Sequence, residues 1–240
     1  MTAPRKDNRT YYDDFAAWYE KERHHGYHAM LDRLQVEIAA PLSRDRDVLE
    51  IGCGTGMILK EIAPLARRAV GIDISPGMLE KAKERGLTVQ EASATALPFP
   101  DASFDVAYSF KVLAHVEDIR TALAEVDRVL RPGGVAALEF YNKRSIRYAI
   151  KRLKRPNKVS QTTTDHDVYT RYDSLDDVKS YLPAGLTVEG VRGVRVLTPF
   201  AQVHRVPVVA HVLTAAERWA RDASLTRGFG GFLVVLLRKA

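Results

Sequence analysis

The nine residues Val48-Leu49-Glu50-Ile51-Gly52-Cys53-Gly54-Thr55-Gly56 constrain the fold more than any other stretch. Val48, Leu49 and Ile51 form a short apolar run ended by glycine, the pattern of a buried parallel strand. Glycines follow at alternate positions, and Met57 to Ala66 then reads as a helix. Alternate glycines let the backbone turn sharply and approach a ligand with no Cβ in between. Strand, glycine loop and helix in this order make the unit that binds nucleotides at the carboxyl ends of strands in open α/β sheets.

The spacing is G-x-G-x-G. It is neither the G-x-G-x-x-G of a dinucleotide site nor a phosphate loop, since no lysine follows the last glycine. A second apolar run, Ala69-Val70-Gly71-Ile72, ends in Asp73, twenty-one residues beyond Gly52. A carboxylate there can accept hydrogen bonds from both hydroxyls of a ribose. A glycine loop alone is often only a tight turn. Paired with Asp73, and with Glu50 inside the first motif, it favours a nucleoside site.

The motif E-x-G-x-G-x-G followed by G-I-D-I-S resembles the class I S-adenosylmethionine-dependent methyltransferases, in particular the branch of quinone-biosynthesis and other small-molecule enzymes. Leu97-Pro98-Phe99, Ser103-Phe104-Asp105, Val112-Leu113-Ala114-His115-Val116 and Arg128-Val129-Leu130-Arg131-Pro132-Gly133-Gly134 extend the match in order and spacing. The resemblance covers residues 45 to 140 and reaches the flanks only loosely. It implies S-adenosyl-L-methionine as cofactor, with contacts from Glu50, Gly52, Cys53, Gly54, Asp73, Ile74, Met78, Ser93, Ala94 and Phe110. Met78 would cover the adenine. Relatives commonly place an aspartate where this chain has Ser93, so recognition of the adenine amino group passes to an uncharged hydroxyl and the Ala94 backbone.

The implied fold is α/β: one Rossmann-like, doubly wound, mostly parallel seven-stranded sheet with an antiparallel last strand. The expected parts are an N-terminal helical cap (1–44), a cofactor-binding core (45–141), a basic helix with a lid-like insertion (142–184), and C-terminal strands with a helix (185–240). A chain of 240 residues suits one such domain with an ample core. Its single cysteine, Cys53, excludes an internal disulfide, and a small residue packed under the loop is the preferred reading of it over a reactive thiol. No signal core or membrane-length apolar run is present, so the chain reads as soluble and cytoplasmic.

Residues Tyr11 to Leu42 are patterned as helix, with Gly26 a candidate break. A helical cap of this kind walls the acceptor pocket in the resembling family, which makes Tyr11, Tyr12, His24, His25 and His28 candidate pocket residues. Ser75 is placed to cap a helix starting at Pro76 and closed by Gly86. The segment after the fourth strand (Phe104–Phe110) carries His115, the leading catalytic candidate, as an orienting group or a general base. Tyr141 and Asn142 fall at the end of the fifth strand, where each either meets the acceptor or caps the next helix. Tyr12, His115 and Tyr141 are thus the expected catalytic set. No histidine or cysteine cluster has metal-ligand spacing, so no metal is expected.

Net charge is +6, and the basic residues concentrate in Lys143 to Lys158, where no acid occurs. Ile146, Ile150 and Leu153 recur at helical spacing along this stretch, which suits a membrane-surface helix or a lid over an anionic or lipid-like acceptor. A solvated basic face is the plain alternative. Nucleic acid is disfavoured, because Tyr148 is the only aromatic in the run. The expectation is methyl transfer to a small or lipid-like acceptor, at an O, C or N atom left open, with oligomeric state unspecified. The competing readings are an RNA methyltransferase using residues 143–158, a dinucleotide-dependent oxidoreductase, and a non-catalytic cofactor-binding protein.

Overall fold

The structure is a computed structural model that describes residues 9, 10, 12, 13, 26–153, 169–198 and 200–240. Tyr11, His24 and His25, and the part of the basic stretch beyond Leu153, lie outside the described residues.

Strand β1 (Asp47–Ile51) is buried along its whole length, as its apolar run requires. It pairs in parallel with β2 (Arg68–Asp73), Leu49 facing Val70 and Ile51 facing Ile72. On its other side it pairs with β4 (Phe104–Ser109), also in parallel. With β3 (Val89–Glu91), β5 (Leu130–Tyr141), β6 (Leu186–Val194) and β7 (Phe232–Lys239), the sheet has seven strands in the order β3-β2-β1-β4-β5-β7-β6. Only β7 runs against its neighbours, antiparallel to both β5 and β6. The chain winds outward in both directions from β1, so the carboxyl ends of β1 and β4 form the switch point where such sheets bind ligands.

Alternating side chains of the strands feed two cores. Leu49 and Ile51 pack with Ile119, Leu123 and Val126 of α4 (Ile119–Val129) and with Val178 of α6 (Leu175–Tyr181). Val48, Val106, Ala137 and Val234 face the other way, onto Met30, Leu31, Leu34 and Ile38 of α1 (Gly26–Ser43). This three-layer arrangement buries both faces of the sheet, which is why its strands read as continuous apolar runs. The remaining helices are α2 (Leu59–Ile62), α3 (Pro76–Glu84), α5 (Ile146–Leu153) and α7 (Pro207–Asp222).

One boundary differs from the expected one. Helix α2 ends at Ile62, not Ala66, because Pro64 has no N–H to continue the ladder and the chain tightens into turns. Strand β5 starts at Leu130, directly after α4, and Pro132-Gly133-Gly134 form its irregular opening, with a shift of register against β4. Among the described residues no helix is long and apolar enough to cross a membrane.

Candidate functional site

All three glycines of the loop adopt positive φ: +75° at Gly52, +52° at Gly54 and +78° at Gly56. A Cβ on Gly52 would stand 2.2 Å from Val112 Cγ2, and one on Gly56 2.3 Å from Leu87 Cδ1. Gly54 has nothing within 4 Å of such a Cβ and opens on a cavity of about 870 Å³. The N–H groups of Gly52 and Cys53 donate to the carbonyl of Ile72, which ties the loop to β2.

Asp73 is fixed by two backbone donors. Gly54 N–H donates to its Oδ2 at 2.8 Å and Ser75 N–H to its Oδ1 at 2.9 Å. Burial raises its pKa, and the N–H groups of Ser75, Gly54 and Ile74 oppose the rise. The carboxylate thereby stands at the cavity wall at the end of β2. Ser75 caps α3 by accepting from Met78 N–H, and Met78 lines the cavity from that helix.

The cavity brings together Tyr12, Gly52, Gly54, Asp73, Ile74, Met78, Ser93, Ala94, Phe110 and His115. Glu50, Cys53 and Tyr141 do not line it. Glu50 points under the sheet end and accepts from the Tyr108 hydroxyl at 3.1 Å; burial pushes its pKa up to about 8. Cys53 packs beneath the loop with Leu59 and Leu79, its thiol pKa raised by burial, so only its backbone faces the loop's outer side. The Ser93 hydroxyl is engaged locally, accepting from Thr95 N–H at 3.2 Å. Asn142 turns away from the site, its amide donating to the carbonyls of Gly228 and Gly230. His28 packs on Tyr27 and does not reach the cavity.

Sequence reasoning missed how the N-terminal segment is fastened. Arg9 pairs with Glu91 at 2.7 Å, and Asp13 accepts from Ser75 Oγ and from Gly77 N–H. These contacts hold Tyr12 at the cavity wall, its ring 6.2 Å from that of His115.

His115 sits in a 3-10 turn (Leu113–His115) past the end of β4. Its Nδ1 lies 2.7 Å from the carbonyl of Tyr169, and its Nε2 lies 3.4 Å from the Tyr141 hydroxyl. Burial lowers its pKa, and the nearby charges of Lys151, Arg147 and Arg171 act the same way. The imidazole is therefore neutral near pH 7. Arg171, also unforeseen, clamps the turn: Nη1 donates to Val116 O, Nη2 to Leu113 O, and Nε to the buried Asp173. Among the described residues no group of three His, Cys, Asp or Glu side chains could hold a metal.

Residues 49–138 match the family described as methyltransferase domain. A demethylmenaquinone methyltransferase of Thermus thermophilus is 44% identical over 121 residues, covering 45% of this chain and 53% of that protein. An O-methyltransferase of Aspergillus nomiae is 37% identical over 132 residues, 50% of this chain and 59% of its own length. The chain thus spans about half the length of such curated relatives. Among solved structures, an S-adenosylmethionine-dependent methyltransferase of Thermotoga maritima superposes with a TM-score of 0.67 at 23% identity, covering 96% of this chain and 98% of that one. The [4+2]-cyclase SpnF superposes at 0.66 with 20% identity, covering 100% and 97%, which shows that this fold also carries other chemistry. The cavity fits a nucleoside-bearing cofactor, because Gly54 leaves it open and Asp73 is locked toward it. Residues 49–138 thus match a methyltransferase domain, similar in sequence to S-adenosylmethionine-dependent methyltransferases, and the chain shares the fold of their solved structures.

Proposed function

We propose that this chain transfers a methyl group from S-adenosyl-L-methionine to a small-molecule acceptor that enters beside Tyr12 and His115. The observation that carries the reading is one cavity holding both the locked Asp73 and a half-buried, neutral His115. Bound, the cofactor supplies a methyl group already activated by its sulfonium. The protein's task is then positioning and exclusion of water more than activation. Asp73 would hold the ribose hydroxyls, Met78 and Ala94 would wall the adenine, and Gly54 would admit the cofactor against the backbone. His115 would orient the acceptor, or take the proton of an acceptor hydroxyl at Nε2.

Calorimetric titration with S-adenosylmethionine and S-adenosylhomocysteine tests this. Micromolar binding is expected for the wild type. Asp73→Ala should weaken it by roughly 10- to 100-fold, the loss of hydrogen bonds to a charged group. A folded wild type that binds neither would overturn the reading, as would binding that Asp73→Ala leaves unchanged. Transfer of tritiated methyl to a panel of quinols, phenols and lipid amines would then identify the acceptor.

A lipid-like acceptor reached at a membrane surface has one specific support. Ile146, at the start of α5, is 64% exposed, and Arg152 of the same helix is exposed too, while Lys143 and Arg144 pair with Asp177 and Asp176. Co-sedimentation with anionic but not zwitterionic vesicles is expected on this reading, and equal recovery with both would remove it.

A further inference from the structure

The basic helix does not present all its cations to solvent. Arg147, in the first turn of α5, turns inward and lays its guanidinium against two rings, Cζ 5.0 Å from the centroid of Tyr141 and 4.9 Å from that of Phe232. Its Nη1 is buried and makes no hydrogen bond. The Tyr172 hydroxyl is in the same condition, buried with no partner. Its ring lies 5.6 Å from Tyr141 and 4.7 Å from Tyr148. Both orphans therefore flank Tyr141, whose hydroxyl reaches His115 Nε2.

Buried polar atoms nearly always have partners, and leaving one unmet costs about 1–3 kcal/mol. Two such atoms, each on a side chain packed against Tyr141, mark places for a ligand. Their chemistry narrows it. A guanidinium only donates, and a phenol donates best to an anion. The field around them is positive: Lys151, Arg147 and Arg171 all oppose protonation of His115, and Arg147 opposes the charge on Arg195. Glu139, a carboxylate on which Arg147 acts, is already occupied by Gln35 Nε2 at 2.6 Å and Lys111 N–H at 3.0 Å. The surrounding rings of Tyr141, Tyr148, Tyr172 and Phe232 suit a flat, apolar body.

We propose that the methyl acceptor is an aromatic or similarly flat carboxylic acid, its carboxylate seated between Arg147 Nη1 and the Tyr172 hydroxyl. Its body then runs along Tyr141 toward His115, where the atom to be methylated meets the cofactor. The carboxylate is the handle and not the reacting group. The inference rests on the methyl-transfer reading above.

The test uses benzoate and its neutral isostere benzamide as probes, titrated calorimetrically into the full chain with and without saturating S-adenosylhomocysteine. For the wild type, benzoate should bind at least about tenfold more tightly than benzamide, the effect of one charge-assisted bond. Arg147→Gln should erase the preference while S-adenosylhomocysteine affinity stays within about twofold. Tyr172→Phe, which deletes one oxygen and keeps the ring, should reduce it several-fold and guards against misfolding of the arginine variant. Arg144→Gln, which removes a guanidinium paired with Asp176 at the surface, should keep it. Equal affinity for the two probes, or a preference that survives Arg147→Gln, overturns the proposal. Absence of S-adenosylhomocysteine binding would instead remove the methyl-transfer reading, and the benzoate titration on cofactor-free protein still decides the anion site.

Discussion

His115 Nδ1 and the carbonyl oxygen of Tyr169 stand 2.7 Å apart, across fifty-four residues of sequence. A carbonyl can only accept, so Nδ1 carries the proton and Nε2 keeps its lone pair. The contact fixes tautomer and ring orientation together, and it comes from a segment outside the matched residues 49–138.

The first prediction concerns pH. Burial makes His115 a weaker base in the folded state than in the unfolded chain. The unfolded state therefore binds more protons, and stability is full above the ordinary histidine pKa and lost as pH falls through the folded value. His115→Asn can still donate to Tyr169 but does not titrate. Its melting temperature should fall less than that of the wild type on acidification below about pH 6.5. If His115 takes the acceptor proton, kcat of His115→Asn should drop by roughly 10²-fold or more with cofactor affinity kept. A variant of unchanged kcat assigns His115 to orientation alone.

Arg171 should behave as a positioning residue. Its planar fork spans two carbonyls and a carboxylate, which a lysine cannot reproduce. Arg171→Ala strands Asp173, which is 1% exposed, and should cost roughly 3–5 kcal/mol in denaturant unfolding. Arg171→Lys should keep the fold and lower kcat more than it raises KM for the acceptor. An unchanged kcat in a folded Arg171→Lys would dismiss the clamp.

Glu50 predicts the opposite pH trend from His115. Its folded pKa is pushed up to about 8, so between its ordinary value and that pH the folded state holds a proton the unfolded state has lost. Stability on its account is present below the ordinary glutamate pKa and declines as pH rises through about 8. Glu50→Gln keeps an acceptor for the Tyr108 hydroxyl. It should melt at a higher temperature than the wild type at alkaline pH, with the gap closing toward mildly acidic pH. The same gap at every pH would contradict the linkage.

Gly52→Ala should be intolerable for two separate reasons. The backbone is at φ +75°, and the new methyl would meet Val112 Cγ2 at 2.2 Å. Destabilisation of about 1–3 kcal/mol from overpacking is expected, together with loss of cofactor binding. Gly52→Ala with Val112→Ala removes both Cγ contacts, leaving Cβ of residue 112 at 2.9 Å and the backbone strain, so calorimetry should show partial recovery of stability. Full recovery would mean that φ at Gly52 is not limiting.

What could be read from the chain alone was whatever the backbone itself demands. Gly52, Gly54 and Gly56 are needed for left-handed turns, and Asp73 ends β2 at a spacing set by one strand–helix–strand unit, so both leave local marks. The two-faced burial of β1 and β4 likewise shows as unbroken apolar runs. The ends of the site were not legible. Asp13 to Ser75 and Arg171 to Leu113 join residues about sixty apart, and long-range pairs of charge and carbonyl leave no periodicity. Cys53 and Glu50 sit inside the motif, yet their side chains point away from the cavity, because a strand and its loop alternate faces. The basic stretch looked uniform as sequence. Which cation turns inward depends on the rings of Tyr141 and Phe232, one of them eighty-five residues away from Arg147.

Among the described residues strand β6 pairs only with β7, and β7 joins it to β5. An antiparallel pair is thus interrupted by the whole of residues 195–231, including α7 and its flanking turns. Loop closure of that length must be met before β6 gains a single ladder bond. The pair and α7 should therefore dock, and undock, as one cooperative unit. In amide exchange, β6 should lose protection together with β7, while β1, β2 and β4 hold theirs longer. Since Arg147 rests on Phe232 and Asn142 on the turn before it, that same opening would dismantle the acceptor end while leaving the cofactor end intact.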